Sequence, residues 1–100
     1  MKVEIFHYDM SDRDLVILLA LEPHAQDVFN AWREGRYTLA HVLEIDDSRG
    51  QQETLDLAFR LTQDKEDWRS TSVGDVIIFG RGQQRQAWVV DTIGFKAVTL

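Results

Sequence analysis

The stretch from Trp68 to Lys96, WRSTSVGDVIIFGRGQQRQAWVVDTIGFK, constrains the fold more than any other part of the chain. Arg69, Ser70, Thr71 and Ser72 form a polar entry, and Gly74-Asp75 turns the chain into the apolar run Val76-Ile77-Ile78-Phe79. Gly80-Arg81-Gly82 leads to a second run, Trp88-Val89-Val90, and Gly94-Phe95-Lys96 closes the unit. Short apolar runs separated by glycine-bearing turns predict paired strands. The polar entry reads as a self-satisfying turn that sets strand register, with Gly74 supplying a positive φ or a close approach. Asp75, Ser70 and Ser72 can bond backbone N–H groups there, and Arg69 can pair with Asp75. The alternative is a polar edge that presents Arg69, Ser70 and Ser72 to a partner.

Upstream, Lys2–Tyr8 alternates, with Val3, Ile5 and His7 on one side and Glu4, Phe6 and Tyr8 on the other, which predicts a strand. Asp9–Asp12 reads as a turn. Leu15–Leu21 is a continuous apolar run, assigned here as a buried strand, although a helical segment has the same pattern. Pro23 suits a first helical turn. Ala25, Val28, Phe29 and Trp32 then recur on one stripe, and Gly35 stops the chain, so residues 23–34 are expected to be helical. Tyr37, Leu39, His41, Leu43 and Ile45 alternate along a second strand. Gln51–Gln63 is a second amphipathic helix, with Leu55, Ala58, Phe59 and Thr62 as its stripe and Leu57 and Leu61 widening it.

These elements predict one α+β domain over residues 1–100. It carries an antiparallel sheet of about five strands with two helices on one face, and its C-terminal unit is able to curl toward a small barrel. One hundred residues suffice for a single core. The absence of cysteine excludes disulfides, thiolate metal sites and cysteine nucleophiles.

No apolar run is long enough to span a bilayer as a helix, and no signal-peptide pattern opens the chain. The expectation is therefore a cytoplasmic protein with no membrane contact. A net charge of −6 argues against direct nucleic-acid binding. The acidity is concentrated: residues 1–59 hold 5 basic and 12 acidic side chains, whereas residues 60–100 hold 6 and 5. His7, His24 and His41 lack metal-ligand spacing, no nucleophile elbow or phosphate loop is present, and Gly80-Arg81-Gly82 reads as a hairpin turn. No catalytic residue, metal or cofactor is expected. Trp32 and Trp88 are assigned to the core, Trp68 sits at a polar junction, and Met1 and Met10 are uninformative.

The helix end Ala58-Phe59-Arg60-Leu61-Thr62-Gln63, the core Arg69-Ser70-Thr71-Ser72-Val73-Gly74-Asp75-Val76 and the closing Gly94-Phe95-Lys96 resemble the YodL-like family of small proteins from phages, plasmids and bacterial accessory regions. The resemblance covers roughly residues 37–98 and leaves residues 1–36 outside. It implies no reaction. It implies a mobile-element accessory protein that binds a protein of its bacterial host. Trp68, Arg69, Ser70, Ser72 and Lys96 are the candidate contact residues. The alternative is an acidic nucleic-acid mimic of the anti-restriction or anti-CRISPR type. Self-association is open.

Overall fold

The computed structural model describes residues 1–21 and 24–100 as a five-stranded antiparallel sheet with three helices, an α+β architecture. The strands are β1 (Lys2–Tyr8), β2 (Tyr37–Glu44), β3 (Val76–Phe79), β4 (Gln86–Val90) and β5 (Phe95–Val98). The helices are α1 (Arg13–Ala20), α2 (Ala25–Arg33) and α3 (Gln51–Leu61). Strand order is β2-β1-β3-β4-β5. The sheet is open, with β2 and β5 as its edges, so the expected curl toward a barrel does not occur. β4 never returns to a second sheet; it pairs onward with β5 through the Asp91–Gly94 turn. The Gly80-Arg81-Gly82 segment lies in the β3–β4 hairpin connection, which includes one 3-10 turn at Gly82–Gln84.

The helices cover both faces, not one. Strand alternation sends Val3, Ile5, Ile77, Phe79, Trp88 and Val90 to one side, where Leu55 and Ala58 of α3 meet them. Val76, Ile78, Ala87, Val89 and Val98 point to the other side, against Val28 and Phe29 of α2, with Leu19 and Trp32 beside them. A sheet whose central strand β3 is buried at every residue needs cover on both faces. Phe59 of α3 meets Phe95 of β5 edge-on at 6.2 Å, so this helix braces the C-terminal strands.

The Leu15–Leu21 run is helical up to Ala20, with Leu21 as the C-cap of α1, which corrects the strand assignment. Asp12 caps α1 by accepting from Leu15 N–H at 3.2 Å, and Asp14 lies in the first turn. Both neighbours of β1 are taken, by β2 and β3, so this segment cannot pair with the strand it follows. Leu15 is buried, whereas Val16, Ile17 and Leu21 are exposed. The second helix begins by Ala25, and Pro23 lies outside the described residues.

The single face expected for Tyr37 through Ile45 is also corrected. Ile5 pairs with His41, but the next residue, Phe6, pairs with Leu39, so the register slips at Ala40. This bulge moves Tyr37 to the α2 side while Leu43 and Ile45 stay on the α3 side.

Candidate functional site

At one end of the sheet the polar entry folds into a knot. Asp75 is fully buried. Its carboxylate accepts two bonds from Arg69, at 2.8 Å each, and further bonds from Ser72 N–H at 2.8 Å and Tyr8 N–H at 3.1 Å. Four donors around one buried carboxylate take the place of the water it has lost. Arg69 also donates to the carbonyls of Tyr8 and Ser70 and to Ser72 Oγ, and its guanidinium lies over the Tyr8 ring at 4.4 Å. Burial alone lowers the Arg69 pKa, but the Asp75 bonds and charge outweigh that, so the net shift is upward.

Gly74 sits at φ +96° and tightly packed. A Cβ there would lie 2.9 Å from Leu19 Cδ1, so both readings of this glycine hold together. Its carbonyl accepts from the Tyr37 hydroxyl at 2.6 Å. Desolvation, reinforced by the Asp75 charge, raises the Tyr37 pKa.

The knot is tied to α3 through a hydroxyl chain. Thr62 Oγ1 donates to the Ala58 carbonyl or shares a proton with Thr71 Oγ1, 2.7 Å away, and Thr71 Oγ1 meets His7 Nε2 at 2.9 Å. His7 Nδ1 and His41 Nε2 are buried without a hydrogen-bond partner. Burial lowers the pKa of both histidines. At His7 the Asp75 charge opposes that effect, and at His41 the Lys65 charge adds to it. The two rings meet edge-on at 5.5 Å, and Trp68 lies over both, at 6.1 and 6.2 Å.

Trp68 is 39% exposed, and Met10 beside it is 60% exposed. With Tyr8, Thr38 and Arg69 they line an open depression of about 270 Å³. Of the candidate residues, Trp68 and Arg69 reach this surface together. Ser70 turns to the neighbouring loop, where its Oγ accepts from Asp64 N–H at 2.8 Å at the surface, and Ser72 belongs to the Arg69–Asp75 knot. Lys96 lies elsewhere. It pairs with Val89 on the far edge strand and opens onto the α1–α2 face, where it lines a groove of about 450 Å³ with Leu19, Val28, Val73 and Ile93. Sequence reasoning missed Met10, Tyr8 and Thr38. Tyr8 and Thr38 were read only as strand positions, and Met10 as a loop residue.

Among the described residues, no group of three or more His, Asp and Glu side chains could hold a metal ion, and no helix is long and apolar enough to cross a membrane. Several carboxylates of the acidic first part are already paired: Glu4 with Arg85, Asp12 with Arg36, Asp47 with Arg81 and Glu53 with Arg49. Compared with protein-family models, with curated proteins and with solved structures, the chain matches none.

Proposed function

We propose that this protein is a non-enzymatic binding module that recognises a partner protein through the surface around Trp68. The observation that carries the reading is the seat of Trp68: an exposed indole set edge-on against the buried His7 ring and the half-buried His41 ring, beside exposed Met10 and a shallow depression. A large aromatic held rigid before binding loses little freedom on association, and tryptophan is enriched among residues that dominate interface energies. Arg69 acts from behind as a positioning residue, because its donors are committed to Asp75, Tyr8 and Ser70. His7 and Asp75 approach within 3.8 Å, and on this reading the buried pair holds the seat of Trp68 from beneath. The resemblance to the YodL-like family makes a protein of the bacterial host the partner class.

The test is affinity capture from bacterial lysate with quantitative mass spectrometry, comparing the wild type with Trp68→Ala and Met10→Ala. One protein retained by the wild type and depleted at least about tenfold by either variant, with circular dichroism unchanged, supports the reading; tenfold corresponds to about 1.4 kcal/mol. Identical capture by all three proteins overturns it.

A further inference from the structure

We infer that the free edge of β2 is a self-association site, at which a second copy of the chain adds its own β2 antiparallel around a twofold axis through Val42. Ile45 N–H bonds to the Met1 carbonyl at 3.0 Å, so Ile45 faces β1. Main-chain direction alternates along a strand. Leu43 and His41 therefore also face β1, and Val42 and Glu44 turn their N–H and C=O groups outward. Among the described residues no strand lies on that side. Outward main-chain groups on an edge strand are a template for another strand.

Edge strands usually carry charge or proline as protection, yet β2 holds no proline and its one carboxylate, Glu44, stands at its very end. The Ala40 bulge interrupts the strand, but His41–Glu44 beyond it pairs regularly with β1, and Val42 at its centre is 53% exposed. The occupant follows from self-complementarity. A twofold axis on Val42 places Val42 opposite Val42 and His41 opposite Leu43, with no like charges facing. Glu44 then lies across from Ala40. Asp46, just beyond the strand, runs past the other copy's bulge toward its Arg36, whose guanidinium keeps N–H donors beyond the two given to Asp12. The acidic exit of one strand thus meets the cationic entry of the other. Isologous pairing of this kind closes at two copies.

The test is sedimentation velocity over a wide concentration range, with Val42→Lys and Val42→Cys variants. The expected result is a concentration-dependent dimer. Val42→Lys should weaken it by on the order of 100-fold, because an apolar pair becomes two like charges facing each other across the interface, and circular dichroism should be unchanged. The chain has no cysteine of its own, so Val42→Cys should give a covalent dimer on mild oxidation, whereas Thr92→Cys should not. A wild type that stays monomeric throughout, or a dimer indifferent to Val42→Lys, overturns the inference. Trp68→Ala should leave the dimer intact, so failure here is distinguishable from failure of the partner-binding reading.

Discussion

Two aspartate–arginine pairs in this protein share nearly the same geometry and differ in surroundings. Asp75–Arg69 and Asp12–Arg36 are both two-point bonds, at 2.8 and 2.8 Å and at 2.8 and 2.9 Å. Each aspartate also accepts from backbone: Asp75 from Ser72 and Tyr8, Asp12 from Leu15 at the start of α1. The Asp75 side chain has no exposure, whereas that of Asp12 keeps 26%. A fork that water can replace adds little to stability, whereas a buried carboxylate stripped of its partner stays uncompensated. The comparison teaches that burial, and not the bond list, decides which pair holds the fold.

The sharpest break of this comparison is Arg69→Ala, which leaves Asp75 buried and unpaired. A loss of about 3–5 kcal/mol in urea-unfolding free energy is expected, enough to remove much of the stability of a small domain. A loss as small as that of Arg36→Ala would erase the distinction. Next in size is Thr71→Val, which keeps shape but removes the hydroxyl between Thr62 and His7. It should lower stability by about 1–3 kcal/mol.

The third prediction concerns pH. Burial holds the pKa of His7 and His41 below the ordinary histidine value of 6.5, so the unfolded chain takes up protons first on acidification. Stability from these groups is complete above about 6.5 and falls as pH drops from there toward their folded-state values. Urea titrations at stepped pH should show the loss, and His41→Gln should reduce it. The smallest effect is expected for Asp12→Ala. It removes the cap of α1 and the exposed pair together, yet should shift the melting midpoint far less than Arg69→Ala.

Much of this architecture was legible along the chain. Local signals were consistent at Lys2–Tyr8, at the Val28–Phe29–Trp32 stripe and at the Leu55–Ala58–Phe59 stripe, where period and burial coincide. The conformation of Gly74 and the Arg69–Asp75 pairing were also readable, because their partners lie within a few residues. Leu15–Leu21 was misread because a short apolar run has no informative period; the Asp12 cap and the filled flanks of β1 decided it. The side change at Ala40 was invisible, since a bulge is set by the strand across from it.

The order of residues by itself determined the α+β class, the paired strands after Asp75 and the self-satisfied turn that precedes them, because each rests on groups close in sequence. Only the tertiary structure decided that the helices take both faces, that Trp68 lies over His7 and His41, and that Lys96 stands apart from them. Those relations join residues tens of positions apart, and their energies arise only when the sheet brings the groups into contact and excludes water.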